Sequence, residues 1–301
     1  MKKSSTAFLT TVFPSCKDYL DDFFKSLSNQ IDSDFDVIVV NNCLEDFIFF
    51  IKKYKKLNII EIKSNESPIQ NRIKGLNYIL DGNYSNLIFG DSDDYFSENR
   101  VSVSKEILTK NDIAVNDLVL FDEKFKIESI FKDIKFQKHD LIHRNIFGLS
   151  NTAIRTKILK NLSLEPEVEI VTYDWYLFSV LVFNNFSFKF SSETNSFYRQ
   201  YASNTLGISF KLDENSLQNL VRIKKMHLIA LKRYYSRINR SKYYTIFKDE
   251  LNAILELEVF LLDNENTIDY LFVVNKNITK IFKGWFSQLI SLKEYKELHE
   301  N

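Results

Sequence analysis

The chain has 301 residues, of which 45% are hydrophobic, 15% aromatic and 27% charged. This composition supplies a large apolar core and a charged surface, which excludes a mainly disordered chain. The 40 basic residues are balanced by 40 acidic ones, so the chain lacks the positive field that sequence-independent binding to nucleic acid needs. We therefore expect no nucleic-acid partner.

Cysteine content and the amino terminus favour a cytoplasmic location. The two cysteines, Cys16 and Cys43, cannot build a disulfide framework, and we expect both to be buried and unreactive. The amino-terminal segment lacks the features of a signal peptide. No apolar run approaches the roughly 20 residues that a membrane-spanning helix requires.

The first third of the chain alternates apolar strands with amphipathic helices. A helix begins at Ser67 and Pro68, because serine caps helices and proline suits their first position. Strands are predicted at residues 6–13, 35–40, 58–62 and 86–90. The helix after the first strand buries one apolar stripe: Leu20, Phe23, Phe24, Leu27 and Ile31. Such alternation indicates an α/β protein with a parallel sheet covered on both faces.

The remaining chain changes character near residue 210, after which only long helical patterns occur. We predict two domains, an α/β domain over residues 1–210 and a helical extension over 211–301. Before the boundary, the patterns predict a buried helix at 173–183 and strands at 118–121, 127–131, 186–190 and 196–201. A final basic amphipathic helix over 278–289 allows peripheral contact with a membrane, packing against the core or a contact between subunits of a homo-oligomer.

An acidic loop, Asp91, Ser92, Asp93 and Asp94, follows the strand at 86–90. Carboxylates crowded on one loop repel each other unless a cation or hydrogen-bond donors compensate. Open α/β sheets bind ligands at the carboxyl ends of their strands, and Mg²⁺ or Mn²⁺ shares oxygen ligands with substrate phosphates. A hydrated loop is the alternative, but the position after a buried strand favours a metal–diphosphate site.

These segments, in this order, resemble the inverting glycosyltransferases of family 2. The resemblance runs over about residues 6–207 and is carried by FLTTVFPS, VIVVNNCLED, QNRIKGLNYI, LIFGDSDDYF, FGLSNTAIR, TYDWYL and FYRQYASNTLG. It implies the GT-A fold, which is Rossmann-like, with a mixed, mostly parallel sheet and flanking helices. It also implies a nucleotide-sugar donor and Mn²⁺ or Mg²⁺ as cofactor.

Transferred residue by residue, the resemblance defines a donor site. The assigned residues are Thr10 or Thr11 and Asn41 for the nucleoside, Arg72 for the nucleotide, Ser92 for the substrate, Asp91 for the ribose or metal, and Asp93 for the metal. Asn41 stands where the family often has Asp, which leaves the nucleobase preference open. Ile73 and Tyr201 also depart from the family pattern, and Tyr201 puts a phosphate or metal contact from the closing segment in doubt.

On the acceptor side the resemblance makes Asp174 the general base, with a helix N-cap as the alternative role. Gly148 either permits close approach of the acceptor or relaxes a turn. Trp175 either stacks on a sugar or belongs to the core. Further substrate contacts are assigned to Ser150 and Arg199.

The predicted activity moves a hexose-type sugar from a UDP or dTDP donor to a glycan or lipid-linked glycan, with inversion, in bacterial surface-polysaccharide synthesis. A nucleotidyltransferase and a non-catalytic binding scaffold are the alternatives. The first would normally need a glycine-rich phosphate loop, which TTVFPSCKD lacks. His139, Asp140 and His143 form an HDxxH pattern, for which a loop or acceptor-lining role is favoured over zinc binding.

Overall fold

The structure is a computed structural model and describes residues 4–121, 126–131, 135–200 and 211–300. In these ranges nine strands form one sheet: β1 Thr6–Val12, β2 Asp36–Asn42, β3 Asn58–Ser64, β4 Asn86–Phe89, β5 Tyr95–Phe96, β6 Ile113–Phe121, β7 Lys126–Ser129, β8 Thr152–Arg155 and β9 Phe188–Arg199. The α-helices are α1 Leu20–Ser28, α2 Ile48–Lys53, α3 Pro68–Asp81, α4 Arg100–Lys110, α5 Tyr173–Phe183, α6 Glu214–Arg237, α7 Ser241–Phe260, α8 Asn264–Ile281 and α9 Leu292–His299.

The strand order is β3-β2-β1-β4-β8-β6-β9-β5, with β7 paired to β6. Strands β1 to β4 are mutually parallel, β8 runs antiparallel to both of its neighbours, and β9 runs parallel to β6. The sheet is therefore mixed and mostly parallel, as predicted. The carboxyl ends of β1, β2 and β4 lie at one edge of the sheet, and the acidic loop follows β4 at that edge.

Two local predictions about the sheet and α1 are wrong. The strands predicted at 186–190 and 196–201 are one strand, β9, because its pairing with β6 continues through a register shift at Asn116 and Asp117. Ile31 is not part of the buried stripe of α1, since the helix ends at Ser28 and Ile31 is 73% exposed.

An aromatic core lies beneath the acidic loop. The Phe8 ring of β1 lies 6.0 Å from that of Phe23 and 5.2 Å from that of Phe96, measured between centroids. Gly90 joins β4 to the loop, and a Cβ atom there would lie 2.5 Å from the Phe8 ring. Only glycine lets the backbone pass this close to the core, so the packing itself fixes where the loop begins.

Contacts divide the chain into two compact units that are interleaved in sequence. The first comprises Met1–Lys132, Phe147–Leu164 and Asn185–Ser203, and it contains the sheet with α1 to α4. The second comprises Asp133–Ile146, Glu165–Asn184 and Asn204–Asn301, and it contains α5 to α9. Helix α5 thus groups with the predicted extension. The predicted boundary at residue 210 lies outside the described residues, so the division into 1–210 and 211–301 stays a prediction.

The predicted helix over residues 278–289 is wrong, because α8 ends at Ile281. Beyond it, Gly284 has a φ of 132° and Phe286 a φ of 69°, neither of which is helical. Phe286 and Leu289 are buried within the second unit, so the apolar face proposed for a membrane is used for packing. Within the described ranges, no helix is long and apolar enough to cross a bilayer.

Candidate functional site

The acidic loop alternates in exposure. Asp91 and Asp93 are half-buried, whereas Ser92 and Asp94 are buried, with 2% and 0% of their surface exposed. Two carboxylates therefore remain accessible at the carboxyl edge of the sheet. The other two side chains anchor the loop in the protein.

Asp94 is held by donors on both of its oxygens. The hydroxyl of Ser150 donates to Oδ2, and the backbone N–H of Arg199 donates to Oδ1 at 2.9 Å. The Ser150 hydroxyl also accepts the N–H of Asp91 at 2.9 Å, so one serine fixes two positions of the loop. Burial, together with the nearby carboxylates of Asp93 and Asp91, raises the pKa of Asp94 well above its usual range. Asp94 therefore supports the loop.

The side chain of Arg199 also supports the loop. Its Nε donates to the carbonyl oxygen of Asp93 at 2.9 Å, and its guanidinium pairs with Asp22 at 2.6 Å. The guanidinium carbon lies 4.6 Å from the ring centroids of both Tyr19 and Phe121. The sequence predicts substrate contacts for Arg199 and Ser150, whereas the structure shows both fastening the acidic loop. Their direct contact with substrate stays a prediction.

The donor set at this loop fits a hard divalent cation. The described part of the chain contains no group of three or more His, Cys, Asp or Glu side chains that could hold a metal. The two carboxylates of Asp91 and Asp93 are sufficient for Mg²⁺ or Mn²⁺. Such ions commonly bind one or two protein carboxylates and complete their coordination shell with phosphate oxygens and water. The ligand set thus matches an ion that binds together with a phosphorylated substrate.

Asn41 closes the turn after β2. Its Oδ1 accepts the N–H of Leu44 at 2.8 Å, and its Nδ2 donates to the carbonyl of Leu44 at 2.9 Å and to Oε1 of Glu61 at 2.6 Å. A carboxylate at this position would repel that of Glu61, which explains the amide. Cys43 lies in the same turn and is exposed, so its predicted burial is wrong. Cys16 is buried as predicted.

Four further residues near this edge offer groups for a ligand. Thr10 and Asn71 are buried, and neither Thr10 Oγ1 nor Asn71 Oδ1 has a hydrogen-bond partner in the described structure. Thr11 and Arg72 are half-buried, and the Arg72 guanidinium has no hydrogen bond or ion pair with any described residue. Buried polar atoms are nearly always bonded, so these unpaired groups are compatible with a polar ligand.

The sequence profile of glycosyl transferase family 2 matches residues 9–166, which is more than half of the chain. This chain belongs to glycosyl transferase family 2. Membership decides against the nucleotidyltransferase alternative. Among curated protein sequences, none matches the chain. The matched span contains the whole acidic loop and ends before Asp174 and Arg199.

Two solved structures illustrate the fold of this family 2 member. S. aureus TarS 1–349 in complex with UDP-GlcNAc superposes with a TM-score of 0.57 at 15% identity, covering 98% of this chain and 90% of TarS 1–349. The mannosyltransferase PcManGT from Pyrobaculum calidifontis, in complex with GDP-Man and Mn²⁺, superposes with a TM-score of 0.56 at 9% identity. The match covers 99% of this chain and 86% of PcManGT. At these identities the likeness shows the fold, and the GT-A prediction is confirmed.

In this glycosyltransferase Asp174 lies in the first turn of α5. Every other residue of α5 is buried, whereas Asp174 is half-buried. Thr172 occupies the N-cap position, so the alternative role of Asp174 as N-cap is wrong. Asn145 Nδ2 donates to Asp174 Oδ2 at 3.4 Å, and the positive end of the helix also favours a carboxylate here. The acid is accessible on an otherwise buried helix.

Trp175 is a core residue. Its side chain is 0% exposed, its ring stacks on those of His227 and Phe286 at 3.9 and 4.6 Å between centroids, and its Nε1 donates to the carbonyl of Leu141 at 2.9 Å. A ring enclosed in this way cannot stack on a sugar, which corrects the predicted role.

Gly148 is buried and has a φ of −83°, which any residue can adopt. Its N–H donates to Asn151 Oδ1 at 2.8 Å in a short turn. The geometry of this turn therefore does not by itself call for glycine. The predicted contact between Gly148 and the acceptor stays a prediction.

Asp140 and His143 of the HDxxH pattern form contacts with different residues. Asp140 pairs with Arg144 at 2.9 Å, and His143 Nδ1 lies 3.0 Å from Oε1 of Glu250. The same Glu250 oxygen pairs with the buried Lys224 at 2.8 Å. These contacts join three segments of the second unit. Tyr201, the other position singled out in the sequence, lies outside the described residues.

A cavity of about 350 Å³ lies at the amino end of β4, lined by Asn86, Arg155 and Lys160 among others. It is lined by no carboxylate and lies at the opposite end of β4 from Asp91, so it is not the predicted metal site.

Sequence reasoning missed the supporting roles of Asp94, Glu61 and Asn145. The loop turns at Ser92 and Asp93, where the N–H of Asp94 donates to the carbonyl of Asp91 at 3.2 Å, so the alternation of a strand could not have separated Asp94 from Asp91 and Asp93 in the sequence. Glu61 and Asn145 act through partners that are distant in sequence, and no local signal marks them.

Proposed function

We propose that this glycosyltransferase moves a hexose-type sugar from a UDP- or dTDP-sugar to a hydroxyl of a glycan or lipid-linked glycan in bacterial surface-polysaccharide synthesis. The observation that carries the proposal is the alternation along the acidic loop. It leaves Asp91 and Asp93 accessible and holds Asp94 in the interior. The proposed compartment is the cytoplasm, in keeping with the unpaired Cys16 and Cys43.

The donor is assigned to the carboxyl edge of the sheet. Asp91 and Asp93 would hold Mn²⁺ or Mg²⁺, and Arg72 would pair with the nucleotide. When bound, the cation neutralises charge that develops on the departing nucleoside diphosphate. Thr10 Oγ1 and Asn71 Oδ1 are the buried groups that would gain partners on nucleoside binding.

Asp174 is the proposed general base. An acceptor oxygen forms a bond to the anomeric carbon, the bond from that carbon to the diphosphate oxygen breaks, and Asp174 takes the acceptor proton. A single displacement inverts the anomeric configuration. NMR of the product checks this, since an anomer that keeps the configuration of the donor would contradict the mechanism.

The solved relatives support the substrate class. TarS was crystallised with UDP-GlcNAc and with UDP, and PcManGT was determined with GDP-Man and Mn²⁺. These names suggest which nucleotides to test first. UDP and dTDP follow from our proposal, and GDP serves as the competing choice.

The deciding experiment is calorimetric titration of UDP, dTDP and GDP into the purified chain with and without Mn²⁺, repeated on Asp93→Ala. We expect Mn²⁺-dependent binding of UDP or dTDP, weakened at least about tenfold in the variant, because removing one carboxylate ligand halves the protein's share of the metal shell.

The matched control is Asp249→Ala, which removes an exposed acid of α7. It should bind the nucleotide as the unaltered chain does. No binding of any nucleotide by a folded chain would overturn the proposal and favour a non-catalytic scaffold. Binding that does not depend on Mn²⁺ or on Asp93 would remove the metal from the mechanism.

A further inference from the structure

The carboxy-terminal helices expose an unusual share of large apolar side chains. Half of those exposed anywhere in the described residues fall within one short stretch at the end of α7 and the start of α8: Leu255, Val259, Leu262, Ile268 and Phe272. Ile268 is 69% and Phe272 65% exposed, and they lie one turn apart on α8. Clustered exposed apolar residues usually mark an interaction surface.

These two residues belong to a stripe along α8 that consists of Glu265, Ile268, Phe272 and Lys276. At about 100° per residue, the four side chains fall within an arc of about 80°. All four are exposed, and neither Glu265 nor Lys276 has an ion-pair partner among the residues that the structure describes. The stripe is thus acidic at the start, apolar in the middle and basic at the end.

We propose that this stripe pairs with the same stripe of a second copy of the chain, the two α8 helices running antiparallel about a two-fold axis. In such a pair, residues equidistant from the axis face each other. The apolar pair, Ile268 and Phe272, and the charged pair, Glu265 and Lys276, have nearly the same midpoint on α8. The two midpoints lie half a residue apart, or about 0.8 Å along the helix axis. One register therefore satisfies the apolar contacts and both ion pairs.

The charge pattern selects a second copy over other occupants. An isologous interface uses the same patch on both sides, so the patch must complement itself, and an acidic-to-basic stripe does so when reversed. Exposed acids beside the apolar residues, Glu256, Asp263 and Glu265, would repel an anionic lipid surface. The inference is independent of the proposed activity, because it uses no residue of the donor site.

Sedimentation velocity on the full chain tests the pairing over about 1–100 μM, since dimerisation depends on protomer concentration. We expect a species of twice the monomer mass at the upper end. Glu265→Lys and Lys276→Glu each set like charges opposite one another and should raise the dimer dissociation constant at least about tenfold. The double variant restores opposite charges and should return within about threefold of the unaltered chain.

Lys248→Glu, which changes an exposed charge of α7 away from the stripe, is the matched control and should dimerise normally. A chain that stays monomeric throughout the range would overturn the proposal. So would single variants that dimerise as well as the unaltered chain, or a double variant no better than the singles. Flotation of a monomeric chain with anionic vesicles would replace the second copy by a membrane.

Discussion

At the scale of single residues, the aspartates of the acidic loop have two different environments that its sequence does not distinguish. Asp91 and Asp93 stay accessible, while Asp94 is buried and bonded to Ser150 and Arg199. Buried carboxylates need such donors, because an unpaired buried charge is strongly destabilising. Preorganised support of this kind would let the two accessible carboxylates bind the proposed cation without first ordering the loop.

Ser150→Ala should weaken Mn²⁺-dependent nucleotide binding about tenfold and lower the free energy of unfolding by about 1–3 kcal/mol, because it leaves Asp94 short of a donor. Calorimetry and urea unfolding measure the two effects. Ser102→Ala is the control, since among the described residues that hydroxyl bonds only the carbonyl of Asn99 in its own helix turn. Undiminished nucleotide binding by Ser150→Ala would show that the loop holds its position without this serine.

Asp174→Asn should reduce kcat by about 10²–10⁴ and leave the dissociation constant of the donor nucleotide unchanged, because it removes a base and keeps an acceptor for Asn145. Single-turnover transfer and calorimetry separate these quantities. Turnover within about tenfold of the unaltered enzyme would assign the base to another residue.

At the scale of elements, Asn145 links Asp174, the proposed general base, to the carboxy-terminal segment. Its backbone exchanges two hydrogen bonds with Trp285, each 3.0 Å long, and its side chain reaches Asp174. Gly284 allows the backbones of Asn145 and Trp285 to approach closely enough for these two hydrogen bonds. A Cβ atom there would lie 2.5 Å from the carbonyl oxygen of Asn145, and its φ of 132° is one that L-residues rarely adopt.

Gly284→Ala should therefore lower the free energy of unfolding of the second unit by about 1–3 kcal/mol. Tryptophan fluorescence during urea unfolding reports this unit selectively, since the two tryptophans of the chain, Trp175 and Trp285, both belong to it. Lys283→Ala, at an exposed neighbouring position, should unfold like the unaltered chain. An unchanged unfolding midpoint in Gly284→Ala would contradict this strained close approach.

At the scale of the whole molecule, a partly buried ion network of His143, Lys224 and Glu250 makes stability depend on pH. Burial alone would raise the pKa of Glu250, but His143 and the buried Lys224 outweigh it and lower that pKa to about 2. A carboxylate with a lowered pKa stabilises the fold above its unfolded pKa, which is near 4.5. That stability is lost as the pH falls from there towards about 2.

Glu250→Gln should therefore lower the free energy of unfolding at neutral pH by up to about 3 kcal/mol. The difference in this free energy between the variant and the unaltered chain should become smaller as the pH is lowered below about 4. Urea unfolding followed by tryptophan fluorescence at several pH values measures both. Glu256→Gln, an exposed acid of the same helix, is the control. If Glu250→Gln lost the same free energy of unfolding at acidic and at neutral pH, the ion pairs would not be the cause of the loss.

Elements with local sequence signals could be predicted before the fold was known. Apolar runs located β1 to β4, and Ser67 and Pro68 located the start of α3. The GT-A fold was implied by the resemblance of the ordered motifs to family 2. These predictions held because strand burial, capping and turn chemistry act between residues that are close in the chain.

The polar residues that serve as supports could be identified only from the folded chain. The bonds of Asp94 to Ser150 and Arg199, of Asn41 to Glu61 and of Asn145 to Asp174 join residues 20 to 105 positions apart. It also enclosed Trp175 in the core and ended α8 before Gly284. The physical reason is that packing and burial are properties of the folded chain, so a side chain's partners depend on elements that its own neighbourhood does not specify.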